Sequence, residues 1–200
     1  KKQSAWIAQR NGRTKDGNDA TGQGIIKMFC MSCLDDKIKA IDQLHIVPVS
    51  ISYEWESCDI LKTLELYESQ FSKYTKKPGE DLNSILTGIV QFKGRVHIEL
   101  CDPISHAELA KFENLTNNEY HKAVALLLDS RINTAYRLYP NNYIAYDLRY
   151  GTTKYQDCYT QEQKELFLKR VKELERYDTC DIGKLMDIFL GIYSNPINNK

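Results

Sequence analysis

Two hundred residues are enough for one domain, or for one domain with a helical extension. The chain is 42% hydrophobic and 27% charged, a globular balance, and its 27 basic residues are matched by 27 acidic ones, which argues against a nucleic-acid binder held by bulk charge. No run of about 18 apolar residues is present to cross a membrane. The chain opens on Lys-Lys rather than Met and shows no signal-peptide pattern, so it is expected to be a portion of a longer protein. Its charge is uneven: Lys1, Lys2, Arg10, Arg13 and Lys15 precede the first acidic residue.

In chain order, residues 4–9 (Ser-Ala-Trp-Ile-Ala-Gln) read as a buried strand, followed by the loop 10–20. Thr21 is placed to cap a helix running to about Cys33, with Ile25, Met28 and Phe29 on one face. A short helix over about 35–43 leads to the β-branched run 45–55, a strand in which Pro48 has no amide to donate and so marks an edge, a bulge or an early position. Helical periodicity returns over 57–74, Pro78-Gly79 breaks it, and a further helix covers about 80–91. Residues 94–101 alternate as a third strand, which Pro103 ends. Helices then dominate, over about 106–112, 117–137, 141–149, 161–177 and 181–192, the fourth opened by the capping pattern Thr160-Gln-Glu-Gln163, and Asn195 to Lys200 reads as a loose tail. Strands separated by helices predict an α/β fold: a partial, mostly parallel sheet flanked by helices over residues 1–105, followed by an α-helical extension over 106–200.

Six cysteines are present. Cys30 and Cys33 form a single CxxC on a helix-like segment, consistent with a redox pair or with two buried small hydrophobes; with no second pair at zinc spacing no metal site is expected, and reduced thiols fit the six best. The tyrosines Tyr136, Tyr139, Tyr143, Tyr146 and Tyr150 suit an acyl-chain wall or a membrane-facing belt, and more often such residues are core and interface packing.

The loop "RNGRTKDGND" carries the chemistry. Gly12 and Gly17 let the backbone approach a ligand, while Arg13 suits phosphate oxygens, Lys15 adds a point charge and Arg10 stands close by in sequence. A phosphate grip and an exposed solvated loop are both consistent with this composition. The spacing is that of neither a Walker loop nor a dinucleotide fingerprint.

The stretch Gly12-Arg13-Thr14-Lys15-Asp16-Gly17 resembles the third block of the glycerolipid acyltransferases, which act on glycerol 3-phosphate or 1-acylglycerol 3-phosphate. Ile46-Val47-Pro48-Val49 resembles the family's fourth block, and Gly94-Arg-Val-His-Ile running into Asp102-Pro103-Ile104 resembles the strand that closes its domain. The three matches occur in family order across roughly residues 4–105. The family's Glu before the first Gly is replaced by Asn11 or Arg10, depending on a one-residue shift. The resemblance implies that Arg13 and Lys15, with Gly12, Gly17 and Arg10, bind the acceptor phosphate, and that Pro48 flanks the site.

It also implies a catalytic His-x4-Asp pair on the amino-terminal side of the loop, outside these residues. No catalytic residue is therefore assigned here, and the fragment alone is expected to be inactive. His97 and Asp102 match that spacing but come after the other blocks, and a separation of five on a strand turns their side chains to opposite faces. His45, His106 and His121 read as surface or capping residues.

The implied activity is acyl transfer from acyl-CoA or acyl carrier protein to glycerol phosphate or lysophosphatidate in phospholipid synthesis. It would need no cofactor and no nucleic acid, and would take place in the cytoplasm with peripheral contact to the inner face of the cell membrane. The rival reading is a non-catalytic α/β module that binds a phosphorylated metabolite or a protein partner.

Overall fold

The computed structural model describes residues 3–10, 14–75 and 78–200. It corrects the expected fold class. Among the described residues the chain forms nine α-helices and one two-stranded antiparallel sheet, not a mostly parallel sheet. The helices are α1 (Gln23–Cys30), α2 (Lys37–Asp42), α3 (Asp59–Ser69), α4 (Glu80–Val90), α5 (His106–Ala110), α6 (Asn117–Ala135), α7 (Pro140–Tyr150), α8 (Gln161–Val171) and α9 (Ile182–Asn198). The strands are β1 (Val49–Tyr53) and β2 (Val96–Leu100). Short 3₁₀ turns cover Gln156–Cys158 and Lys172–Arg176.

The predicted strand over residues 4–9 does not form. Trp6 is 72% exposed, and the main-chain bond made by this segment, Gly22 N–H to the Gln9 carbonyl at 2.8 Å, is not a ladder. A strand without a partner leaves its amides and carbonyls unpaired, so β propensity alone does not hold it. The two strands that do pair run antiparallel. The chain leaves α4 through Gly94, whose φ of +61° is open to glycine, and continues as β2 beside β1. Glu54 N–H donates to the Arg95 carbonyl at 2.9 Å, and the Arg95 guanidinium grips the Glu54 carboxylate from the side.

The chain forms two compact units, each drawing on both halves of the sequence. One contains Lys1–Arg13, Asp19–Ser50 and Ile98–Ala135; the other contains Thr14–Asn18, Ile51–His97 and Tyr136–Lys200. The core of the first is Ile26, Ile41, Ile104, Leu109, Tyr120, Val124 and neighbours from α1, α2, α5 and α6. Thr21 does not cap α1. Both its N–H and its hydroxyl donate to the Asp129 carboxylate, at 2.7 and 2.6 Å, and Gly22 takes the cap position. Helix α5 starts on a reciprocal box between Ser105 and Glu108, and Arg131 pairs with the same Glu108 carboxylate. His106 lies 3.3 Å from Asp42, a partner its sequence spacing did not suggest.

The second unit is built on α9, which packs against α7 and α3. Its core gathers Ile144, Phe167, Val171, Leu174, Leu185, Phe189 and Tyr193. At its centre Asp59, 1% exposed, accepts from Arg170 Nη2 at 2.5 Å, Arg170 Nε at 3.1 Å, the Tyr193 hydroxyl at 2.8 Å and its neighbour's amide, Ile60 N–H, at 2.7 Å. Burial, reinforced by the Asp59 charge, raises the Tyr193 phenol well above its ordinary pKa. The tail expected beyond residue 194 is instead the last turn of α9, carried through Pro196.

Two outcomes follow from these networks. Asp59→Ala strands a partly buried guanidinium and is expected to cost about 3–5 kcal/mol in urea unfolding, whereas Tyr193→Phe, which keeps the ring, is expected to cost about 1–2 kcal/mol. The Glu108 carboxyl is drawn down to about 2, first by the Ser105 hydroxyl, then by the Ser105 N–H, and also by Arg131. Its folded pKa lies below its ordinary value of 4.5, so its contribution is full above that value and is lost as the pH falls towards 2. The stability gap between the parent and Glu108→Gln is therefore expected to close over that interval in unfolding curves taken at successive pH values.

Candidate functional site

The loop singled out by the sequence divides between the units. Gly12 and Arg13 lie outside the described residues. Arg10 belongs to the first unit, where Asp19 stands 4.0 Å from its guanidinium. Pro48 is in the same unit, buried one residue before β1, and its carbonyl accepts from Cys101 N–H at 2.9 Å, so its missing amide falls at an early strand position. Lys15 and Gly17 belong to the second unit.

Within that unit residues 14–18 form a strap fixed at several points. Asp16 accepts on its side chain from Asn18 N–H at 3.1 Å, a local turn. Its carbonyl accepts from Asn195 Nδ2 at 2.7 Å, and the Gly17 carbonyl accepts from Asn199 Nδ2 at 3.4 Å. Gly17 has φ of +75°, and a Cβ there would overlap the Ile192 carbonyl oxygen and lie 3.2 Å from Pro196 Cδ. Proline has no N–H to return to the carbonyl four residues earlier, here that of Ile192, so α9 offers the strap a notch at that place. Asn195 is itself set by Arg149 on α7, which donates to it at 2.9 Å and to Asp187 at 2.9 Å. The Lys15 ammonium is ion-paired with Glu65 on α3; the side chains are 38% and 17% exposed.

The strap can present one cation, at a set position, to an anion arriving from solvent. Glu65, Asn195 and Asn199 were not legible as its supports, because they lie 50 to 182 residues from their partners. A pairing that exists only in the folded chain leaves no local pattern. Among the described residues no three His, Cys, Asp or Glu side chains are grouped to hold a metal. Cys30 ends α1, Cys33 follows in the next turn, and both thiols are free; burial raises the pKa of Cys30, the opposite of what a reactive thiolate needs. Among the described residues no helix is long and apolar enough to cross a membrane. Protein-family models, curated proteins and solved structures were compared with the chain, and none matches it.

The notch makes a discriminating test. Gly79 also has positive φ, +81°, but nothing lies within 4 Å of the Cβ it would gain. Gly79→Ala is expected to cost about 1 kcal/mol from backbone strain alone, and Gly17→Ala about 2–4 kcal/mol, because strain and overlap with main chain add. Equal midpoint shifts in thermal unfolding would show that the strap does not seat on α9.

Proposed function

We propose that the protein to which this chain belongs transfers a fatty acyl group from acyl-CoA or acyl carrier protein to a hydroxyl of glycerol 3-phosphate or its 1-acyl form. The observation that carries this reading is the ordered set of three blocks, Gly12 to Gly17, Ile46 to Val49 and Gly94 to Ile104. The second and third blocks are also hydrogen-bonded neighbours: Ile104 N–H donates to the Ile46 carbonyl and Cys101 N–H to that of Pro48, each at 2.9 Å.

In this reading Arg13 and Lys15 hold the acceptor's phosphate, so that its hydroxyl is delivered to the base at a fixed distance. Arg13 makes paired hydrogen bonds to phosphate oxygens, and Lys15 supplies a point charge. The base is the His of a His-x4-Asp pair outside these 200 residues. It takes the hydroxyl proton as the oxygen attacks the thioester carbonyl; the carbon–sulfur bond then breaks, and the His gives that proton to the departing thiolate, which leaves as the free thiol. Gly12 and Gly17 shape the grip in this reading. The enzyme works in the cytoplasm with its lipid product at the inner face of the membrane, by peripheral contact.

Calorimetric titration of the chain with glycerol 3-phosphate at low salt tests the grip. Binding is expected in the parent and loss of about tenfold or more in affinity in Arg13→Ala and in Lys15→Ala, while Glu65→Gln, which frees the ammonium, is expected to bind more tightly. Unchanged affinity in both cation variants removes the loop from the site. The 200 residues alone are expected to show no acyl transfer, and turnover by them would overturn the placement of the base.

A further inference from the structure

A polar cleft lies in the second unit, apart from Lys15 and the strap, and Arg95 of the third sequence block is on its lining. Its volume is about 390 Å³, within the range of about 300–1,000 Å³ that small-molecule sites occupy. Arg95, Arg137, Tyr139, Tyr143, Asp157 and Gln163 are among its lining residues. The two arginines differ in availability. Arg95 is committed to the Glu54 carboxylate through Nε and Nη2, at 3.1 and 3.0 Å. Arg137 has no carboxylate partner among the described residues; its guanidinium lies over the Tyr139 ring, 6.0 Å from the centroid, and its fixed contact is made by its backbone N–H to the Ser52 hydroxyl at 2.8 Å.

The Arg95 guanidinium sits on that ring too, 5.1 Å from its centroid, so two cations gather on one aromatic side chain, with Glu54 paired to Arg95 and the exposed Asp157 carboxylate also on the lining. Of the two guanidiniums, Arg137 is the one left to meet an anion from outside. The helices α7 and α8 both begin at the cleft, at Pro140 and after Thr160, and their dipoles add to the field.

The remaining lining narrows the ligand. Tyr143 and Tyr159 are half-buried rings, each fixed from behind: Tyr143 by Tyr155 at 5.1 Å between centroids, and Tyr159 by its hydroxyl on Asp147 at 3.0 Å. A ring held in place offers a stacking face at little entropic cost. Asp157 is an exposed carboxylate that suits vicinal hydroxyls, and the Gln163 amide, although its oxygen accepts from Thr160 N–H, keeps its own donors. We propose that this cleft binds a nucleoside monophosphate, with the phosphate on Arg137, the base against the tyrosine faces and the ribose hydroxyls on Asp157. The proposal does not depend on the acyl-transfer reading, which uses Arg13 and Lys15.

The test is calorimetric titration of the full chain with AMP, adenosine and inorganic phosphate. AMP is expected to bind saturably, and adenosine and phosphate each about tenfold or more weaker, because each supplies half of the contacts. Arg137→Gln is expected to weaken AMP by about tenfold or more and to leave adenosine unchanged; Tyr143→Leu is expected to weaken AMP and adenosine together. Lys15→Ala is expected to leave AMP binding unchanged, so that failure here and failure of the phosphate grip are read separately. No saturation by AMP up to about 10 mM overturns the proposal, as does phosphate binding as tightly as AMP, or AMP binding that survives Arg137→Gln while circular dichroism shows the variant folded.

Discussion

Asp59 sits at the first turn of α3 with both carboxylate oxygens occupied, and the second unit is arranged around that fact. A carboxylate this deeply buried is tolerated only when its charge and its lone pairs are met. Arg170 from α8 meets the charge, Tyr193 from α9 and the amide next to Asp59, Ile60 N–H, meet the lone pairs, and Glu173 shares the guanidinium from the 3₁₀ turn that follows α8. Three helices are thereby fixed in register by one side chain. Burial works against the Arg170 charge, yet the hydrogen bonds it donates to Asp59 and Glu173 leave its pKa raised. The Tyr193 hydroxyl also accepts from Glu56 N–H at 3.1 Å, so the segment entering α3 is tied to the same point, and Trp55 packs its ring against Phe167 and Tyr193.

The position of α9 in turn decides what the strap can do. Asn142 donates to the Tyr193 carbonyl at 2.7 Å and Arg149 spans Asp187, Ser194 and Asn195, so α7 grips α9 along its length. Arg149 can lie that close because Gly191 has no Cβ; one would come within 3.0 Å of its Nη1. The last turn of α9, set by these contacts, then presents Asn195, the Ile192 carbonyl and Asn199 to residues 16 and 17. Order in the strap is thus inherited from the core through the buried carboxylate, the α7–α9 face and Pro196, a contiguous physical path.

Much of the helical pattern was legible in the sequence. Thr160 and Gln163 close the expected box, Pro78-Gly79 separates α3 from α4, and α6 and α7 fall where their periodicity put them. The errors concern partners. Residues 4–9 have strand-like composition but nothing to pair with. In β1 the side chains sunk in the interior are Ser50 and Ser52, while Ile51 is half-buried and Tyr53 exposed, so the apolar alternation pointed to the wrong face. In β2, Val96, Ile98 and Leu100 share one face and are exposed, the reverse of a core strand. Period-2 alternation identifies two faces but not which is covered, and parallel or antiparallel direction depends on a turn at Gly94 that the strand residues do not encode. The candidate loop was legible as a cluster of cations; its supports at Glu65 and in α9 were not.

The Lys15–Glu65 pair bears on whether an ordered cation helps or hinders anion capture. A part-exposed ion pair contributes about 0–1 kcal/mol once desolvation and side-chain entropy are counted. Hydrogen bonds between an ammonium and a phosphate contribute about 1.5–3 kcal/mol each. A phosphate that reaches Lys15 can therefore share or displace Glu65 with a net gain. The carboxylate has two opposing effects on that encounter. It repels the incoming dianion, which lowers affinity, and it holds a long flexible side chain in one place, which removes part of the ordering cost of binding. At separations beyond about 8–10 Å the repulsion is screened by physiological salt, whereas the positional effect is not. The balance thus shifts towards preorganisation as ionic strength rises, and a strap clamped at Asp16, Gly17 and Lys15 is the arrangement that gains from it.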